Sequence, residues 1–316
     1  MAGTFTWTFD APSGVFKNHA LSAEIYKVAV EEAVFMDHVK PVEGFGKKMG
    51  ENVTLKRVSA IAEPTSIDLT EGVRIPEDTF ALSTKGITVG EIGRSVPFTS
   101  FAEDLSELDL ENSIQSELKR QMTLGLDTKV ASAFRGSNAK IKYAITGLTT
   151  NNIATNGTFG ATSTANFNVF HAEEIRDYLY DTLRAPTIGG DYIGIFRTLG
   201  IRGVKRDPDW EEWHKYTDPS AKYNSEVGRI ESIRLIETNH ANALRKVGTG
   251  SVLGEGVVFG ADAVAMAEAE TPELRAGIPQ DLGRQKLVGW YGILAFDVIW
   301  DTGNAGQARI VHVGSA

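Results

Sequence analysis

The hydrophobic positions of this 316-residue chain fall into a few long patterns. The clearest is Leu110, Ile114, Leu118, Met122, Leu126 and Val130, which recur every four residues and lead to Phe134. That period predicts one continuous helix from Asp109 to Phe134, about 39 Å long at 1.5 Å per residue. Carboxylates crowd its approach (Glu103, Asp104, Glu107, Asp109, Glu111), and Lys119, Arg120 and Lys129 follow, the order a helix dipole favours. "SFAE", Ser100 to Glu103, fits a capping box, and Asn112 offers a second cap. A strict four-residue repeat drifts around a 3.6-residue turn, so the apolar stripe winds and needs cover from more than one side. Such a helix is a spine on which other elements lie.

A second long pattern lies near the end. Lys286 to Asp301, within "KLVGWYGILAFDVIWD", reads as one strand, roughly 53 Å if fully extended. The polar "DTGNAGQ" then turns into a final strand, Ala308 to Val313. Residues 51–100 also read as extended, with β-branched runs "NVTLKRVSAI" and "GITVGEIGRSVPFTS". The stretch between these runs is punctuated by Pro64, Gly72, Pro76 and Gly86 and lacks helical period. In a compact domain, so long a connection is a functional loop, a disordered segment or an arm to a neighbour.

The remainder is mixed. Residues 1–50 begin with exposed-type aromatics (Phe5, Trp7, Phe9), pass through a helical stretch at Leu21 to Met36, and end in the turn "GFGKKMG". The first dozen residues have the character of an arm that docks on another surface. Residues 146–167 carry no charge and read as a surface loop. A helix at Val169 to Leu183, a strand at Asp191 to Phe196, helical pieces to Tyr216 and strands at Gly228 to Asn239 and Gly256 to Gly260 predict an α/β or α+β lobe.

Composition narrows the chemistry. A net charge of -9 argues against an electrostatic grip on nucleic acid, though an acidic protein can enclose DNA without adhering to it. The absence of cysteine excludes disulfides, thiolate metal sites and thiol nucleophiles. The start has no basic and apolar leader, and no run of about 18 apolar residues occurs, so neither export nor membrane spanning is expected.

The chemical motifs are near misses. "GTGSVLG" and "GEGVVFG" are each one residue too long for a dinucleotide loop, and "GFGKKMG" lacks the Ser or Thr of a phosphate loop. "HAEE", His171 to Glu174, has half of a zinc-deaminase pattern whose other half needs cysteines; it reads as a helix start. "DWEEWHKYTDP", Asp209 to Pro219, places Glu211 and His214 on one helical face, two ligands without a third. Trp210 and Trp213 share another face, and Glu211 pairs with Lys215 in i,i+4 spacing, the pattern of an anchoring surface helix. No catalytic, cofactor or metal residue is expected.

Long stretches carry a family resemblance: "NHALSAEIYKVAVEEAVFMDHVKPVEGFGKKMGENVTL", "RIPEDTFALSTKGITVGEIGRSVPFTSFAEDLSELDLENSIQSELKRQM", "GIRGVKRDPDWEEWHKYTDP", "VVFGADAVAMAEAETPELRAGIP" and "GWYGILAFDVIWDTGNAGQARIVHV". Together they resemble the major capsid proteins of tailed bacteriophages, in the group that includes the coat protein of podophage N-four. The resemblance implies the α+β fold named after phage Hong Kong 97. It assigns an N-terminal arm to 1–50, an extended E-loop to 51–100 and a peripheral domain with spine helix to 101–145. An axial domain falls at 146–285 and return strands at 286–316. It implies self-assembly through pentamers and hexamers into an icosahedral head around double-stranded DNA, with a portal at one vertex and possible scaffold or decoration proteins. The protein is then expected in the virion, assembled in the host cytoplasm. Phe5, Trp7 and Phe9 become arm contacts, Trp210 and Trp213 interface or axial-domain anchors, and Lys85 the E-loop residue for any lysine-mediated cross-link. A nanocompartment shell of the same fold and a metal-dependent α/β enzyme using Glu211 and His214 are the alternatives.

Overall fold

The computed structural model describes residues 33–58, 61, 63–64, 66–105, 110–136, 141–145, 147–149, 151–154, 165–208, 226–247, 253–279, 281–300 and 308–315. The arm aromatics Phe5, Trp7 and Phe9, most of the expected helix at 21–36, and the whole "DWEEWHKYTDP" stretch with Trp210 and Trp213 lie outside the described residues.

Among the described residues the strands form three sheets. The first is built from β1 (Lys40–Pro41), β4 (Gly90–Thr99), β12 (Val264–Ala276) and β13 (Gln285–Val298), in the order β1-β12-β13-β4. The second is the antiparallel ribbon of β2 (Asn52–Val58) and β3 (Leu82–Thr88). The third runs β6-β5-β14-β11-β7-β9-β8, with β10 added to β11. Its strands are β5 (Ile141–Ile145), β6 (Asn151–Ala154), β7 (Tyr192–Arg197), β8 (Glu226–Ile230), β9 (Ile233–Thr238), β10 (Lys246–Val247), β11 (Leu253–Phe259) and β14 (Ile310–Ser315). The helices are α1 (Ser100–Leu105), α2 (Leu110–Arg135), α3 (Val169–Asp177) and α4 (Thr198–Ile201).

Helix α2 is the expected spine: its 26 residues span about 39 Å. Its winding stripe is covered by two different sheets. Leu118 and Leu126 pack with Ile92, Val288, Trp290 and Leu294 of the first sheet. Further along, Val130, Ala131 and Phe134 pack with Ile195, Val257 and Phe259 of the third. Phe134 lies between Phe35 and Phe259, with ring centroids 5.6 and 4.6 Å away. Strand β13, 14 residues long, turns alternate side chains (Val288, Trp290, Leu294) onto α2, as the two-residue strand period requires. Gly125 is a weak point of the spine, because a Cβ there would meet only the Trp290 ring, at 3.9 Å. Gly125→Ala is expected to stabilise the chain by about 0.5–1 kcal/mol through helix propensity, read as a raised urea midpoint.

Several expectations need correction. Helix α1 is capped by Thr99, whose Oγ1 accepts from Ala102 N at 3.2 Å, so Ser100 is its first residue rather than its cap. Glu103 instead meets Lys286 at 2.6 Å, a long-range pair invisible to a capping-box reading. Asn112 lies inside α2 and caps nothing at its start. The strand read at 228–239 is two strands, because Glu231 and Ser232 both adopt positive φ, the backbone of a two-residue hairpin turn. The helix expected to run to Leu183 ends its α-form at Asp177 and continues as a π-turn over Tyr178–Thr182.

Sheet membership also cuts across the expected segments. Residues 264–276 leave the 146–285 lobe to pair with β13, while β5 and β14 join the third sheet. The final strand therefore does not fold back on β13. The described part of the 1–50 segment is woven into the body, not free as an arm: Phe35 is buried, β1 runs parallel to β12, and Val42 N donates to Met266 O.

Candidate assembly surfaces and buried joints

The motifs that suggested chemistry resolve into packing. In "HAEE", the His171 ring closes a capping box on α3: Nδ1 accepts from Asn168 N, Asn168 Oδ1 accepts from His171 N, and Nε2 donates to Gly147 O at 2.8 Å. Histidine takes the place usually held by Glu or Gln, which is why the sequence pattern missed it. The "GEGVVFG" glycines serve close approach: a Cβ on Gly254 would stand 2.3 Å from the backbone nitrogen of Gly200 in α4. Among the described residues no group of three or more His, Cys, Asp or Glu is placed to hold a metal.

Two buried polar joints tie the spine to the third sheet, and neither was legible beforehand. Asp127 is fully buried on α2. Its Oδ1 accepts from Val34 N (3.1 Å) and Phe35 N (2.7 Å), and its Oδ2 meets His240 Nδ1 at 2.8 Å. His240 Nε2 lies 3.3 Å from Thr128 Oγ1, whose hydroxyl donates to Leu124 O. One carboxylate thus joins the spine, the 34–38 turn and the segment after β9.

The second joint centres on Glu255 of β11. His312 Nε2 donates to its Oε1 at 2.5 Å, Arg245 N donates to its Oε2 at 2.7 Å, and Arg135 Nη1 stands 3.6 Å from Oε2. Burial alone pushes the Glu255 carboxyl up. The hydrogen bond and charge of His312, the Arg135 guanidinium and the Arg245 amide together hold it below the ordinary carboxylate value. Burial lowers Arg135 in turn, against the pull of Glu255.

The base of the β2–β3 ribbon is seated on the first sheet. Val53 and Ile87 pack on Ala265 and Ala267, small residues that let the ribbon approach closely. Arg57 donates to Ser83 Oγ and Ile299 O, each at 3.2 Å. Lys85, expected in the E-loop, does lie in the ribbon, in β3 near its base, where its Nζ pairs with Asp297 at 3.2 Å. Both partners are partly exposed, so Lys85→Ala is expected to cost less than about 1 kcal/mol, checked by urea unfolding.

Beyond the base the ribbon becomes apolar and unsupported. Ile67, Leu69, Val73 and Ile75 are 82%, 63%, 66% and 66% exposed, and Phe80 and Leu82 are also exposed. A second exposed apolar group lies where α1 meets the β12–β13 turn: Phe101, Leu105, Ile278 and Leu282. Exposed apolar surface of this extent on a folded chain marks a contact with another molecule.

Neither protein-family models nor curated proteins match the chain. Solved structures match it from end to end. The head structure of Helicobacter pylori bacteriophage KHP40 has 13% identity and a TM-score of 0.71, covering 100% of this chain and 99% of that one. The capsid asymmetric unit of cyanophage Pam1 has 14% identity and a TM-score of 0.69, covering 100% of both. The capsid of Ralstonia phage GP4 has 11% identity and a TM-score of 0.68, covering 98% of both. The chain therefore has the α+β, Hong Kong 97-like fold of tailed-phage capsid structures. At these identities the likeness is one of fold.

Proposed function

We propose that this chain is the major capsid protein of a tailed double-stranded DNA bacteriophage, its copies closing through pentamers and hexamers into an icosahedral head. The observation that carries this reading is the extent of the match, which spans both whole chains for phage head structures from three unrelated-sounding hosts' phages at TM-scores of 0.68–0.71. The exposed apolar ribbon supports it, since such surface is costly in an isolated chain and useful where a neighbour covers it.

In this role the β2–β3 ribbon is the E-loop, α2 with the first sheet is the peripheral domain, and the third sheet is the core of the axial domain. The segment before residue 33 is the arm, with Phe5, Trp7 and Phe9 as its contacts. Trp210 and Trp213 anchor the axial domain or its capsomer interface. The partners are other copies of the chain, a portal at one vertex and, where used, scaffold and decoration proteins. DNA is enclosed without specific binding, and assembly takes place in the host cytoplasm. The role is structural, without catalytic residue, cofactor or metal.

Negative-stain microscopy of the expressed protein, with sizing, tests the proposal. Closed shells or regular capsomers are expected. A sharp small oligomer with no shells overturns it, and bound zinc or manganese in that oligomer points to the metalloenzyme alternative. Shells that hold an enzyme and no DNA in their source cells point to a nanocompartment.

A further inference from the structure

The tip of the β2–β3 ribbon and a groove on the spine are both open in the same chain, and their chemistry is complementary. At the tip, Val73 N donates to Thr70 O at 3.1 Å across a turn that places Gly72 at φ +81°. Ile67 and Leu69 therefore lie on one side of a tight reversal and Val73 and Ile75 on the other, each pair at the spacing that shares a face. The surrounding stretch is acidic: Glu63, Asp68, Glu71, Glu77 and Asp78 against Arg74 alone.

The groove, of about 410 Å³, runs between α2 and β4 and is floored by Val96, Ile114 and Leu118. Arg120 stands on its rim, already holding Glu117 at 2.7 Å, and the adjoining hollow adds Arg94 and Lys129 against Glu91. Strand β4 is the outer strand of its sheet. It therefore presents unpaired backbone groups to an extended segment alongside, the arrangement in which a strand can be added from another chain.

We infer that the ribbon tip of one copy, through Ile67, Leu69, Val73 and Ile75, seats in the α2–β4 groove of a second copy. The acidic tip faces the Arg94, Arg120 and Lys129 side of the groove. This rests on the shell reading above and names the surface on which the loop docks.

The chain has no cysteine, so introduced thiols report without background. Leu69→Cys chains co-assembled with Val96→Cys chains and oxidised in intact shells are expected to lose monomer to a reducible dimer. Leu69→Cys chains co-assembled with Tyr180→Cys chains, Tyr180 being an exposed residue next to the third sheet, are expected to stay monomeric. Shells that form normally but give no dimer with Val96→Cys, or as much with Tyr180→Cys, overturn this docking and leave the shell reading standing. Failure of the unaltered chain to form shells overturns both. Because both cysteine replacements are small, a second readout covers any that misassemble: Leu69→Asp is expected to abolish shells while leaving the urea midpoint of the subunit unchanged. Normal shells from Leu69→Asp also overturn the docking.

Discussion

Asp127→Ala is expected to destabilise the chain by about 3–5 kcal/mol, the cost of removing one partner from a buried hydrogen-bonded pair. The loss is large because the carboxylate serves three groups at once: Val34 N, Phe35 N and His240 Nδ1. With alanine, two amides and an imidazole are left without that acceptor where both side chains are at most 1% exposed, and water cannot easily replace it. Asp127→Asn separates acceptor geometry from charge. Its carbonyl oxygen can still accept from Val34 and Phe35, so a substantial part of the loss should be recovered. Hydrogen exchange gives a local readout: the Val34 and Phe35 amides should lose protection in Asp127→Ala before the β11 and β14 amides do. A urea unfolding free energy within about 1 kcal/mol of the unaltered chain would show that the joint is not structural.

Glu255→Leu is expected to be comparably damaging, by about 3–5 kcal/mol, because Arg135 and His312 are then left facing an apolar side chain in the core. The same joint predicts a pH dependence. Glu255 has a folded-state value below its ordinary one, so its contribution is fully present above the ordinary carboxylate range. The contribution is lost as pH falls from that range through the depressed folded value. Acidification should therefore lower the urea midpoint of the unaltered chain more steeply than that of Glu255→Gln, which has no carboxyl to titrate at this site. Parallel pH profiles for the two would assign the acid sensitivity elsewhere.

The elements that sequence reasoning placed well are those whose signal is local. The four-residue recurrence from Leu110 to Val130 marks α2 because each side chain's face depends only on its own turn of backbone. The apolar run after Lys286 marks β13 for the same reason, and the paired β-branched runs around Pro64, Gly72 and Pro76 mark the ribbon and its tip. Local pattern also misled where the deciding contact was distant. Glu103 looked like a cap but answers Lys286, and the run at 228–239 hid a turn at Glu231 and Ser232, residues without the usual turn signature.

By itself, then, the sequence determined that this chain has a long helical spine, a long strand and a protruding apolar ribbon, because helix and strand periods are properties of a few neighbouring residues. Only the tertiary structure decided which strands pair, sending β14 to β11 rather than to β13. It also decided that Asp127 and Glu255 are buried joints rather than solvated charges, since their partners His240 and His312 stand 113 and 57 residues away. A carboxylate in an amphipathic pattern carries no mark of its burial. The cost of burying it is offset only when distant donors arrive together, and that meeting is a property of the assembled fold.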